Sequence, residues 1–131
     1  MVRDWKEKHS FVGEPRGQGV VEAPVRGKPT SLEVTAEMRK ACESLVGPLS
    51  ETMLDLLSRV DPEYQQKVRS NVVLAGGGSQ IPGLAAALER ALADVGGGRV
   101  RAVEDPLFAG ANGSLAIAAD APEGDWERLA G

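Results

Sequence analysis

The apolar positions of this chain fall into runs of different period. Between residues 35 and 60, Met38, Cys42, Leu45, Leu49, Met53, Leu56 and Val60 recur at steps of three and four, the spacing of one helical face. Thr35 suits the N-cap. Gly47-Pro48 predicts a kink or break, because proline lacks an N–H and its ring crowds the carbonyl of Ser44. Asp61 and Pro62 then restart a short helix, as cap and first helical residue. Residues 71–75, NVVLA, form a short β-branched strand. Residues 82–95 read as a helix with Leu84, Leu88, Ala91 and Val95 inward, ended by Gly96–Gly98. Residues 99–103, RVRAV, give a second strand. Residues 105–120 give a helix opened by Asp105 and Pro106, followed by a short acidic tail docked by Trp126.

Ahead of these, VRDWKEKHSFVG reads as the end of an amphipathic helix stopping at Gly13. Residues 20–25 and 30–34 read as two strands with Gly27 and Pro29 between them. Pro24 marks an edge or a bulge. Helix, strand, helix, strand, helix in the second half predicts an α/β unit with adjacent parallel strands.

Composition narrows the partners. Hydrophobic residues make up 42% of the 131, charged residues 26%, and the net charge is −4 with a pI near 5.0. That balance lacks the basic footprint of nucleic-acid binding and the basic face of a helix lying on anionic membranes. No apolar run is long enough to span a bilayer, and the charged start MVRDWKEKHS has no signal-peptide core. A cytoplasmic protein is expected. With one cysteine, Cys42, and one histidine, His9, the chain can form neither an internal disulfide nor a multi-thiolate or multi-imidazole zinc site. Cys42 reads as a small core thiol and His9 as a surface residue.

The densest signal is NVVLAGGGSQIPG, residues 71–83. It is not a Walker A loop, because Leu84 and Ala85 follow Gly83 where Lys and Ser or Thr are needed. Ile81 breaks both a dinucleotide fingerprint begun at Gly76 and a nucleophile elbow centred on Ser79. Glycines at the carboxyl end of a parallel strand, before a helix starting at Pro82, suit a flat ring or phosphate lying against backbone. They also suit a tightly packed strand–helix turn with no ligand. The small residues of FAGANGSLAIAA leave the same two readings open.

Three segments together resemble one family. VRDWKEKHSFV is similar to the Lys-Glu-Lys segment of the actin family. LAGGGSQIPGL resembles its adenosine motif, and VEDPLFAGANGSLAIA resembles the closing segment of bacterial actins. The resemblance implies an α/β, partial actin-like ATPase (ribonuclease H-like) domain II with parallel strands flanked by helices plus an N-terminal β-hairpin. Residues 1–34 would be the helix end and hairpin of the smaller subdomain, and residues 35–131 the nucleotide-binding subdomain with its tail. It further implies ATP, with Mg in the full-length family. Glu7 would accept ribose hydroxyls and the Lys6 stem would cover the base. Gly76, Gly77 and Gly78 would lie along the nucleoside and α-phosphate, with Ser79, Gln80 and Ile81 at the base.

By the same resemblance the chain starts late in the second large domain and runs to the C-terminus. It carries no Asp-x-Gly-Thr hairpin, so neither catalytic residues nor metal ligands are expected in it. The expected partners are copies of itself, or of a full-length actin-like protein, in a filament of the magnetosome-positioning or cell-shape type. Two rival readings are a sugar or acetate kinase of the same superfamily and a degenerate interaction module that binds no nucleotide.

Overall fold

The computed structural model describes residues 1–130. Helix α1, Val2–His9, ends four residues before Gly13. Phe11 and Val12, both 7% exposed, leave the helical path because their side chains are needed in the core. The Val12 N–H donates to the Pro82 carbonyl at 2.8 Å.

Strands β1, Val20–Val25, and β2, Lys28–Glu33, pair antiparallel from Val20↔Glu33 to Val25↔Lys28. Their turn is only Arg26-Gly27, both at positive φ (50° and 80°), the geometry of a two-residue hairpin. Pro29 therefore belongs to β2 and not to the turn. It faces Pro24 in the pair next to the closing one, where a backbone N–H would point out of the ladder.

The long helical face of residues 35–60 is divided into α2, Thr35–Glu43, and α3, Val46–Ser58. The break falls at Ser44-Leu45, ahead of the expected Gly47-Pro48. Pro48 sits in the first turn of α3, where its missing N–H costs no helical bond. The break also redirects the apolar face. Leu45, Leu49 and Leu56 are exposed, while Val46, Met53, Leu54 and Leu57 pack on the core around Cys42. Thr35 is the first helical residue and not the cap, which is Val34. Its Oγ1 accepts the Gly19 N–H at 2.8 Å, fastening the hairpin to α2.

Helix α4, Pro62–Arg69, starts after Asp61 as expected. Strands β3, Val72–Leu74, and β4, Val100–Ala102, are parallel neighbours in register Val72↔Val100 to Leu74↔Ala102. Between them runs α5, Leu84–Leu92, which buries Leu84, Ala87, Leu88 and Leu92. At Ala93 it tightens into a 3-10 turn, so Ala91 is only half-buried and Val95 is exposed. The Gly97 N–H then donates to the Leu92 carbonyl at 2.8 Å, the capping bond of a left-handed terminus.

The Val100 N–H donates to Glu89 Oε1 at 2.8 Å and ties β4 to α5. Val12, Cys42, Leu84, Ala87, Leu88, Leu92 and Val100 form the buried core. Helix α6, Ala109–Asp120, begins four residues later than expected, because residues 105–108 form turns. Helix α7 spans Glu123–Ala130. Among the described residues no helix is long and apolar enough to cross a membrane.

Candidate functional site

At the carboxyl end of β3 the chain turns sharply. Gly76 takes φ 83° and donates its N–H to the Pro106 carbonyl at 2.7 Å, which anchors the turn to the segment leading into α6. Its own carbonyl accepts both the Ser79 hydroxyl, at 2.7 Å, and the Ser79 N–H, at 3.1 Å. Gly77–Gln80 form a 3-10 turn, Ile81 packs against the core, and Gly83 returns to positive φ (85°) before α5. The helix thus starts at Leu84 and not at Pro82. A 3-10 turn stands between the glycines and its N-terminus.

What the fold demands of each glycine differs. Gly76 is required by its backbone conformation. A Cβ on Gly77 would make only an ordinary contact with Leu107 Cδ2 at 3.6 Å, and one on Gly78 would meet nothing within 4 Å. Neither Gly77 nor Gly78 is at positive φ. The chain's own packing therefore needs one glycine of the three, and the other two leave an open strip of backbone beside Ser79 and Gln80.

Lys6 and Glu7 are both exposed on α1. Glu7 Oε1 accepts from Arg3 Nε at 2.9 Å, and that hydrogen bond, then the charge of Glu7, raises the Arg3 pKa. The structure connects this helix to the glycine turn through backbone: α1 leads into Val12, Val12 bonds Pro82, and Gly83 passes directly against the Val12 carbonyl. A cavity of about 220 Å³ opens at this joint, lined by Lys8, His9, Arg16, Thr35 and Pro82 among others. Lys6, Glu7 and Gly76–Gly78 are not among its walls. His9, expected on the open surface, is half-buried there. Sequence reasoning missed the Val12–Pro82 joint and the role of Gly83; the signal was the Phe-Val pair after α1 and the Pro-Gly before α5. Among the described residues no three His, Cys, Asp or Glu side chains are gathered as a metal site would need.

Comparison with known proteins supplies the family. Actin-like protein MamK of Paramagnetospirillum magneticum is 41% identical over 124 residues, which are 95% of this chain and 36% of that protein. MamK of Magnetospirillum gryphiswaldense is 40% identical over 124 residues, 95% of this chain and 34% of that protein. The solved MamK double helical filament matches with a TM-score of 0.86 and 41% identity, over 91% of this chain and 37% of that one.

The chain belongs to the actin-like family.

No protein-family model matches it. It spans about a third of the length of the curated relatives it matches, so its fold is part of an actin-like domain. A non-polymerising MamK mutant bound to AMPPNP also matches, with a TM-score of 0.83 and 41% identity over 89% of this chain and 36% of that one. The actin-like assignment gives the parallel pair β3–β4 and its flanking helices their place in a known architecture.

Proposed function

We propose that this chain supplies the adenosine-side wall of the nucleotide cleft of a bacterial actin-like filament protein of the magnetosome-positioning kind. The observation that carries the reading is the glycine triplet. The fold uses Gly76 for itself and leaves Gly77 and Gly78 bare, without a packing reason to exclude a side chain. A flat or anionic ligand approaching backbone is such a reason. Support also comes from the matching MamK mutant, which was solved with AMPPNP.

In this reading Gly76, Gly77 and Gly78 lie along the nucleoside and α-phosphate of ATP, and Ser79, Gln80 and Ile81 border the base. The Lys6 stem covers the base and Glu7 exchanges its Arg3 partner for ribose hydroxyls. Mg would neutralise charge on the terminal phosphates in the full-length family, and no residue of this chain is assigned to hold it. ATP supplies the γ-phosphate whose loss changes filament stability, while this chain's residues bind and orient the nucleoside. Phosphoryl transfer needs donors around the γ-phosphate and a positioned water, so the 131-residue chain alone binds nucleotide weakly and does not hydrolyse it.

The test is an NMR titration of the labelled chain with AMPPNP and ADP. Shifts should centre on residues 76–81 and 6–7, with similar affinity for both nucleotides. Glu7→Ala and Gly78→Val should each weaken binding. Shifts elsewhere, strong preference for the γ-phosphate, or binding indifferent to both substitutions would refute the proposal. So would phosphate release by the wild-type chain that Glu7→Ala abolishes.

A further inference from the structure

The cavity of about 220 Å³ where the end of α1 meets Pro82 gathers one kind of charge. Lys8 and His9 line it from the last turn of α1, and Arg16 from the loop that leads to β1. Of the described residues that line it none is acidic, and Glu14 of the same loop stays outside. On a chain of net charge −4, a hollow with three basic residues and no acid runs against the average surface. Among the described residues, none of the three is ion-paired. Bases suit a helix C-terminus, which accounts for Lys8 and His9 but not for Arg16, a residue of a different segment.

The remaining walls bring hydrogen-bond donors. The Ser10 hydroxyl is one. Gly17 and Gln18 also line the cavity, and their N–H groups have no backbone partner among the described residues. The Thr35 hydroxyl accepts the Gly19 N–H at 2.8 Å and keeps its own proton to donate. The imidazole of His9 lies beside it: a Cβ on Gly19 would stand 3.5 Å from His9 Nδ1 and 3.4 Å from Thr35 Oγ1.

We propose that this cavity binds a phosphate group, free or carried on a small molecule. Arg16 and Lys8 supply charge-assisted hydrogen bonds, and His9, Ser10 and Thr35 supply neutral ones. A monoanion such as acetate leaves one of the two cations without a partner, whereas a phosphate dianion satisfies both. The volume falls below the roughly 300–1,000 Å³ of sites for drug-sized ligands, which limits any organic part to the size of a sugar. The site is separate from the nucleotide wall, since Lys6, Glu7 and Gly76–Gly78 are not among its residues.

The test is an NMR titration of the labelled chain, without nucleotide and at constant ionic strength. The probes are inorganic phosphate, ribose 5-phosphate and acetate. Shifts with either phosphate compound should centre on residues 8–10, 16–19 and 35, and acetate should bind at least about fivefold more weakly. Arg16→Gln and Lys8→Gln should each weaken phosphate binding about three- to tenfold. Lys28→Gln, which removes a positive charge from the hairpin, should leave it unchanged. Tighter binding of ribose 5-phosphate would support the site as one for a monoester, and equal or tighter binding of phosphate would support it as one for the free anion. Acetate as strong as phosphate, an equal loss in Lys28→Gln, or no shift with either phosphate compound would overturn the proposal. Shifts confined to residues 6–7 and 76–81 would overturn it too, while leaving the nucleotide wall in place.

Discussion

Gly83→Ala should be among the most damaging single-methyl additions to this chain. The residue sits at φ 85°, and a Cβ there would run into the carbonyl oxygen of Val12, with the carbonyl carbon only 3.0 Å away. The obstacle is backbone, so no side-chain rotation relieves it. Holding alanine in the left-handed region costs about 1–2 kcal/mol, offset by some 0.4–1 kcal/mol from the lower entropy of the unfolded chain. Pushing Val12 away weakens its hydrogen bond to Pro82, about 0.5–1.5 kcal/mol. It also partly uncovers Phe11 and Val12, whose full burial contributes about 1.5–3 kcal/mol each.

A net loss of about 3 kcal/mol is expected, which for a chain of this size lowers Tm by about 10 °C. Urea unfolding followed by tryptophan fluorescence measures it, with Gly78→Ala as the paired control. The control meets open space and should stay within about 0.5 kcal/mol of wild type. A Gly83→Ala protein as stable as wild type would refute the docking of α1 through Val12. Equal damage from the two substitutions would refute the claim that the fold leaves Gly78 free.

Arg26→Asn should stabilise the hairpin by about 0.5–1 kcal/mol in the same assay, because arginine is held at φ 50° where asparagine is favoured. Leu92→Ala should cost about 2–5 kcal/mol, since Leu92 is fully buried between α5 and the sheet. Cys42, buried in the core, should react with a thiol reagent only as fast as the protein opens, and faster in Gly83→Ala. Glu33 gives a small acid dependence. Hydrogen bonding by Thr35, through its side chain and then its backbone N–H, holds the Glu33 carboxyl below its ordinary value of 4.5. A depressed folded pKa contributes stability above the unfolded value that is lost as pH falls through the folded one. The stability difference between wild type and Glu33→Gln should therefore shift against wild type between roughly pH 5 and pH 3, by a small amount because the group is exposed.

The second half of the chain was readable because local and tertiary demands coincide there. NVVLA and RVRAV are short and β-branched, and the stretch between them has one apolar stripe and a glycine stop, so β3, α5 and β4 follow from residue type alone. The first half was less readable where two signals competed. The three-and-four spacing from Met38 to Val60 continues through Ser44-Leu45, yet the chain breaks there, because Pro48 is accommodated most easily in a first turn. The second hairpin strand was expected from residue 30 with Gly27 and Pro29 both in the turn, whereas adjacent positive φ values at Arg26 and Gly27 close the turn within two residues and start the strand at Lys28. Helix α6 was legible as a helix. Its burial was not, since nothing within these residues covers it.

Two runs of three glycines show why the candidate site could not be read from letters. In Gly96–Gly98 the fold accounts for every member. Gly96 and Gly97 are both at positive φ, a Cβ on Gly96 would lie 2.9 Å from Arg69 Nη2, and one on Gly98 would collide with the Arg69 carbonyl and come within 2.6 Å of Leu92 Cδ1. That triplet is a helix terminator pressed against α4, and no ligand is needed to explain it. In Gly76–Gly78 the fold accounts for the first glycine only. The difference lies in the neighbours: Arg69 and Leu92 crowd one loop, while in the other a Cβ on Gly77 would meet Leu107 Cδ2 at an ordinary 3.6 Å and one on Gly78 would meet nothing within 4 Å. Glycine is costly where backbone freedom is not used, and this unexplained pair, Gly77 and Gly78, is the ground on which the proposed nucleotide-side role rests.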